Sequence, residues 1–425
     1  MTILALFLLL FALIILGVPV AIALAGASAV FILSGAVPPM VVAHRMINGV
    51  DSFPLLAVPF FILAGNLMNT AGITERIFNF ALSLVGWMRG GLGHVNVGAS
   101  VIFAGMSGAA VADAGGLGAI EIKAMRDANY DSDFAVGITA ASSTIGPIIP
   151  PSLPMVIYGV VAGASIGQLF AAGFIPGLVM AVALMLMVAW FARRRGFQRD
   201  QAFVWRVLFH SFRRAFLSLM TPVIIVGGIL SGAFTPTEAA VAACAYAMFL
   251  GAIVYRTLTV RRLLRVSFDT IETTAVVLLV VGAATIFAWI LTSNRVPEMA
   301  ASLLLGASDR PWVILLLINI ILLLVGCFME TVAAITILVP VLLPVAVQLG
   351  VDPVHFGVIV VLNLMLGLLT PPVGMVLYVL SRVANIPFER AMIGTAPFLI
   401  PLVLVLILVT YIPAITMWLP TVLYR

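Results

Sequence analysis

Polar positions along this chain are sparse and clustered, and the stretches between them are almost wholly apolar. Met1–Leu16 is an unbroken apolar run with no basic segment ahead of it. It passes straight into a second apolar stretch, which predicts a retained membrane helix and not a cleaved leader. Residues 215–233 and 236–255, separated by Thr235-Pro236, are each long enough to span a bilayer. Two other apolar segments are interrupted by paired prolines, Pro150-Pro151 and Pro371-Pro372. Each pair removes two backbone donors, so no helix runs through it intact.

Composition turns this pattern into a class. Of 425 residues, 63% are hydrophobic and only 9% charged, and the mean hydropathy is +1.25. Soluble domains carry about 25% charged residues, so lipid is the solvent for much of this surface. The expectation is an all-α polytopic membrane protein. Cys244 and Cys327 sit in apolar runs, and the four histidines have no ligand spacing. No P-loop, HExxH, GxSxG or paired CxxC is present. ATP hydrolysis and enzyme chemistry are therefore not expected, no cofactor is implied, and uphill transport would draw on an ion gradient.

Charge sets the expected orientation. Of 21 Lys and Arg residues, seven lie within 193–214 and four within 256–265. Short basic loops stay cytoplasmic, and the two spans between the clusters return the chain to the same side. Membrane helices flank both clusters closely, which argues against nucleic acid as their partner. Trp87, Trp289, Trp312 and Trp418 read as interface anchors, and Glu121, Lys123, Arg126 and Asp127 as part of a polar connector.

The second half repeats the first. Ile145-Gly-Pro-Ile-Ile-Pro-Pro-Ser-Leu-Pro-Met-Val-Ile-Tyr158 parallels Leu366-Gly-Leu-Leu-Thr-Pro-Pro-Val-Gly-Met-Val-Leu-Tyr378, with Gly146, Pro150 and Pro151 matching Gly367, Pro371 and Pro372 at an offset of 221. Gly105 and Gly326 share that offset, and Ile73-Thr-Glu75 resembles Val296-Pro-Glu298. The expected units are residues 1–195, a basic linker at 196–215, and 216–425. Inverted repeats are the usual plan when a site lies between two broken helices; parallel repeats are the alternative at this point.

The breaks point at the site. Unpaired carbonyls are tolerated in lipid only where protein, water or an ion satisfies them. Freed carbonyls beside hydroxyls suit Na⁺, and the start of the following half-helix suits a carboxylate. Upstream of each break lies a small-residue element, Phe103–Gly118 with Asp113 and Gly326–Thr331 with Glu330, each readable as a re-entrant hairpin. The sodium-coupling candidates are Gly105, Ser107, Gly108, Ser143, Thr144, Gly146, Gly326, Glu330, Thr331, Gly367 and Thr370. Asp113, Ser152, Pro150, Pro151, Pro371 and Pro372 are the candidates for substrate binding or hairpin support. An ionisable residue at membrane depth is a functional hypothesis by default, with Asp113 holding a hairpin tip and Glu330 capping a half-helix as the structural readings. The plain reading of each hydroxyl is a bond to its own helix backbone.

Several stretches together resemble the large membrane subunit of tripartite ATP-independent periplasmic (TRAP) transporters: Val58-Pro-Phe-Phe-Ile-Leu-Ala-Gly65, Gly105-Met-Ser-Gly-Ala-Ala-Val-Ala-Asp113, Ile148-Ile-Pro-Pro-Ser-Leu-Pro-Met155 and Leu368-Leu-Thr-Pro-Pro-Val-Gly-Met375. The resemblance covers essentially the whole chain. It implies an elevator-type fold in a bacterial inner membrane and Na⁺-driven uptake of a small carboxylate such as a C4-dicarboxylate or sialic acid. It also implies two partners, a small four-helix membrane subunit and a periplasmic solute-binding protein. Carried over, the first hairpin tip is Gly105–Asp113, with Ser107, Asp113 and Ser152 functional; relatives carry a second serine where this chain has Ala109. A stand-alone ion-coupled symporter or antiporter for organic anions is the alternative, and a membrane-embedded enzyme or channel the third reading.

Overall fold

The computed structural model describes residues 2–35, 38, 40–197, 199–200, 202–308 and 310–424, excluding the side chains of residues 105–107 and 307. The first half opens with α1 (Ile3–Ile15) and α2 (Val20–Leu33). A split segment follows: α3 (Met40–Val50), a 3-10 turn at Phe53–Leu56, and α4 (Ala57–Thr70). Next come α5 (Ile73–Val85), α6 (Gly91–Ser107), α7 (Ala110–Gly115) and α8 (Leu117–Asp127), then α9 (Ser132–Ser143), α10 (Leu153–Ala162) and α11 (Ile166–Arg195). The second half runs through α12 (Trp205–Leu230), α13 (Pro236–Phe249, continued by a π turn to Val254), α14 (Val260–Ser293) and α15 (Val296–Ala307). It ends with α16 (Pro311–Gly326), α17 (Thr331–Gln348), α18 (Pro353–Gly367), α19 (Met375–Ala384), α20 (Phe388–Tyr411) and α21 (Ala414–Leu423).

Seven of the described helical segments are long and apolar enough to cross a membrane. Local chemistry sets their starts. Thr235 and Glu238 form a reciprocal capping box, Thr235 N donating to Glu238 Oε2 at 2.8 Å and Glu238 N to Thr235 Oγ1 at 3.3 Å, with Pro236 at the first helical position. Asp352 accepts from Val354 N at 2.7 Å and launches α18 in the same way, with Pro353 first. Two expectations are corrected. Residues 117–127 are helical, and Glu121 on α8 is buried, not part of an exposed connector. The basic segment expected as a linker to residue 215 is already helical from Trp205, because its arginines share a repeating pattern with Phe209, Phe212 and Phe216.

The halves run in opposite directions. Asp131, just before α9, pairs with Arg195 at the end of α11 (3.3 Å), and Asp133 pairs with Arg390 at the start of α20 (2.9 Å). Tyr130 donates to Asp200 at 2.7 Å. The α6–α8 hairpin therefore opens on the Arg195 side. At the far end of α20, Tyr411 donates to the Trp312 carbonyl at 2.9 Å, and Tyr158 near the end of α10 donates to the Pro353 carbonyl at 2.6 Å. A 24-residue helix is about 36 Å long, so the α16–α17 hairpin opens on the opposite side. These contacts select inverted over parallel repeats.

The core sits where the two inverted units interlock. Every residue of α18 from Val354 onward, and every residue of α9 from Phe134 onward, is buried. Helices apolar all round belong at the centre of a bundle. Around them lie both hairpins, α11 and α20, while α2, α3, α4 and α14 pack together as a separate wall. That wall is uneven: α14 is one continuous helix, whereas its counterpart α3–α4 is interrupted at Asp51-Ser52.

Candidate functional site

Both hairpin tips press on the breaks in α9–α10 and α18–α19. In the first, the chain turns at Gly108, whose φ of +62° favours glycine. A Cβ there would lie 2.5 Å from the Pro151 carbonyl oxygen, and Leu153 N donates to the Gly108 carbonyl at 3.3 Å. A few residues on, Asp113 is buried with its carboxylate against Gly146, where a Cβ would lie 2.1 Å from Oδ2. Asp113 thus joins the first hairpin to the first break. Ser152 caps α10, accepting from Met155 N at 3.2 Å and donating to the Pro147 carbonyl. The Pro150-Pro151 and Pro371-Pro372 bonds are both cis.

The second hairpin repeats the arrangement with different residues. A Cβ on Gly367 would lie 2.5 Å from the Gly326 carbonyl carbon, so two glycines let hairpin and break touch backbone to backbone. Glu330 caps α17, its Oε2 accepting from Val332 N at 2.9 Å and Ala333 N at 3.3 Å. A carboxylate is favoured at a helix start by the aligned peptide dipoles. Thr370 donates to the Gly367 carbonyl at 2.9 Å and lies 2.8 Å from Cys327 Sγ.

Polar clamps tie each hairpin's first arm to the broken helix. In the first unit, Asn96 donates to Thr139 Oγ1 at 2.7 Å and accepts from Ser142. In the second, Asn363 donates to Asn319 Oδ1 at 2.7 Å and to its carbonyl at 3.0 Å, and Asn319 donates to Thr410 at 3.2 Å. Ser142 and Asn363 are 221 residues apart, the offset of the breaks themselves. These asparagines were missed in sequence. The available signal was an amide inside an apolar helix, which lipid tolerates only when paired.

Between the tips lies a cavity of about 190 Å³. Ala109 and Val111 come from the first hairpin, Pro147 and Leu153 from the first break, Glu330 and Thr331 from the second hairpin, and Leu368 and Met375 from the second break. A neighbouring cavity of about 170 Å³ shares Ala109 and Leu153 and reaches Asn66 and Asn69 on α4 and Thr273 on α14. Small-molecule sites begin at roughly 300 Å³. Neither cavity reaches that alone; the first hairpin tip partitions a space that is large enough when joined.

Of the expected site residues, Glu330 and Thr331 line the central cavity directly. Gly108, Asp113, Gly146, Pro150, Pro151 and Ser152 gather at the first tip and break, and Gly326, Gly367, Thr370, Pro371 and Pro372 at the second. Ser143 and Thr144 donate to the carbonyls of Ala140 (2.8 Å) and Ala141 (2.6 Å), the local bonding ordinary for hydroxyls in helices. Gly105 and the Ser107 side chain fall outside the described atoms. Among the described residues, no group of three His, Cys, Asp or Glu could hold a metal ion; oxygen donors here are carbonyls and hydroxyls.

Comparison with known proteins adds four findings. The family model of the tripartite ATP-independent periplasmic transporter DctM component matches residues 7–415. The chain is 56% identical over 378 residues to the sialic acid TRAP transporter large permease protein SiaM of Vibrio cholerae serotype O1, covering 89% of this chain and 88% of that one. It is 47% identical over 380 residues to the sialic acid TRAP transporter permease protein SiaT of Haemophilus influenzae, covering 89% of this chain and 62% of that longer protein. In fold it is similar to the crystal structure of the Alcanivorax borkumensis YdaH transporter, with a TM-score of 0.58 at 16% identity over 87% of this chain and 86% of that one.

Proposed function

Because the chain belongs to the DctM component family of tripartite ATP-independent periplasmic transporters, we propose that it carries a small carboxylate solute inward, coupled to Na⁺, through the cavity between its two hairpin tips. As a large permease it is a multi-pass protein of a bacterial inner membrane. On this reading the basic loops at 193–214 and 256–265 are cytoplasmic, so the first hairpin opens to the cytoplasm and the second to the periplasm. A periplasmic binding protein delivers the solute, and a small membrane subunit braces the wall formed by α2, α3, α4 and α14.

The observation that supports the reading best is the convergence of both tips and both breaks on one cavity, with the half-helices α10 and α17 starting at its edge. The start of α17 is already occupied by the Glu330 carboxylate. The solute carboxylate is therefore assigned to the first hairpin and the start of α10, beside Ser152. Thr331, Thr370 and the carbonyls of the breaks supply oxygens for Na⁺. Sialic acid is the first solute to test, since two relatives are named for it; a C4-dicarboxylate is the second.

Coupling follows from differential affinity. Na⁺ bound at the breaks holds the tips closed on the backbone, and the closed tips complete the carboxylate site. Na⁺ without solute leaves the partition at Ala109 in place and the space too small. Movement of the hairpin domain against the α3–α4–α14 wall then exposes the site to either side. The test is uptake into proteoliposomes holding the chain and its small subunit, with the binding protein outside. Uptake should collapse when K⁺ replaces Na⁺ at fixed membrane potential. Uptake indifferent to Na⁺, or equally fast without the binding protein, would refute the proposal.

A further inference from the structure

The wall and the hairpin domain enclose two cavities, one toward each side. The first is the cavity at Asn66 and Asn69 already described; its α4 residues are Ile62, Gly65, Asn66 and Asn69. The second, about 460 Å³, lies between α3 and α14 on the wall and α10 and α17 on the hairpin domain. Its residues on the outer part of α14 include Thr285, Ala288, Trp289 and Thr292. These follow the four α4 residues, one for one, by 223 positions, the separation that also relates Ile73-Thr-Glu75 to Val296-Pro-Glu298. On the hairpin side, Ala112 and Gly116 line the first cavity, and Thr336 and Pro340, also four apart on a returning arm, line the second. One feature of the fold is present twice through the inverted repeat.

The two copies differ in chemistry. The first offers neutral amides. The second holds Arg45, whose guanidinium lies 5.3 Å from the centre of the Trp289 ring, with Asn48 one turn along α3. No described carboxylate lies within 4.0 Å of Arg45. Its place is fixed by close packing: a Cβ on Gly49 would lie 2.2 Å from Thr285 Oγ1, so only glycine lets α3 lie this close to α14. A cation against an aromatic face, with an adjacent amide and no partner carboxylate, suits an anion; the threonine hydroxyls here donate to their own helix carbonyls. Trp289, expected in sequence as an interface anchor, lines this cavity.

We propose that this second cavity is a capture site for the carboxylate of the incoming solute. Arg45 takes the charge, Asn48 donates the amide proton that His44 does not take, and Trp289 supplies an apolar face. The assignment rests on the carboxylate-carrier reading above. Thr336 of this cavity and Thr331 of the central one lie on the same helix, α17, so captured solute stands beside the arm that leads to the tips.

The experiment uses the complete complex in proteoliposomes with radiolabelled sialic acid, the binding protein and a Na⁺ gradient. In Arg45→Gln the concentration of loaded binding protein giving half-maximal uptake should rise roughly tenfold or more, the effect of losing one charge-assisted hydrogen bond. The maximal rate should change less than twofold, and Arg45→Lys should recover part of the loss. Half-saturation for efflux from the lumen should stay unchanged, as should binding of the binding protein to the purified complex. Unaltered half-saturation for uptake in Arg45→Gln overturns the proposal. So does weakened docking of the binding protein, which would place Arg45 at that interface, or an equal loss of uptake and efflux. If the unaltered complex moves neither sialic acid nor succinate on Na⁺, the carrier reading fails, and that control is read before any variant.

Discussion

Replacing Gly367 by alanine perturbs the contact between the second hairpin and its break. The added Cβ would lie 2.5 Å from the Gly326 carbonyl carbon and 2.6 Å from its Cα. Ordinary carbon contacts are about 3.5–4.0 Å. The obstruction is backbone, so no rotamer change relieves it, and hairpin and break must separate by roughly 1 Å. Overpacking of this kind costs about 1–3 kcal/mol, which at about 1.4 kcal/mol per decade is roughly five- to a hundredfold in an equilibrium constant. The closed tip bears that cost, so the Na⁺ concentration for half-maximal uptake in proteoliposomes should rise at least about fivefold, with membrane insertion preserved. Gly227→Ala is the control: nothing lies within 4 Å of its Cβ, and alanine is the better helix former. Native Na⁺ dependence in Gly367→Ala, or equal damage in Gly227→Ala, would refute the argument.

Three further outcomes follow from the site. Asp113→Asn should abolish uptake while the protein still folds and elutes as a single species in detergent; full activity would clear the carboxylate of any role that needs its charge. Glu330→Gln keeps an acceptor for the Val332 and Ala333 N–H groups, so thermal stability should hold while Na⁺-driven uptake falls, and unchanged uptake would remove the charge from the mechanism. Asn319→Leu removes the Oδ1 acceptor of Asn363 and the amide bond to Thr410, leaving Asn363 only the residue-319 carbonyl, and should destabilise by about 1–3 kcal/mol. Adding Asn363→Leu should cost less than the sum of the two single changes, and strict additivity in thermal unfolding would disprove the clamp.

The sequence exposed what depends on backbone chemistry alone. Paired prolines end a helix in any surroundings, so both breaks were legible, and the glycine and small-residue runs marked where hairpins turn. Opposite polarity of the halves was not legible. It emerged from contacts such as the Asp133–Arg390 ion pair and the Tyr411 bond to the Trp312 carbonyl, which join residues 257 and 99 positions apart. Glu121 was misread because a carboxylate near Lys123 and Arg126 resembles a solvated run, and only packing reveals that its face of α8 is buried. The cavity walls at Asn66 and Asn69 and at Arg45 and Trp289 were missed because each depends on two helices from different halves lying side by side.

The interruption at Asp51-Ser52, facing an uninterrupted α14, bears on which posture the carrier rests in. A carrier assembled from interchangeable halves would rest equally often in either posture. Here one stave of the wall is a rod and its mate is jointed, so a hairpin domain that moves against the wall as proposed meets a different surface in each posture. On that proposal, a preference for one resting posture is written into the frame of the molecule, before any ion or solute arrives.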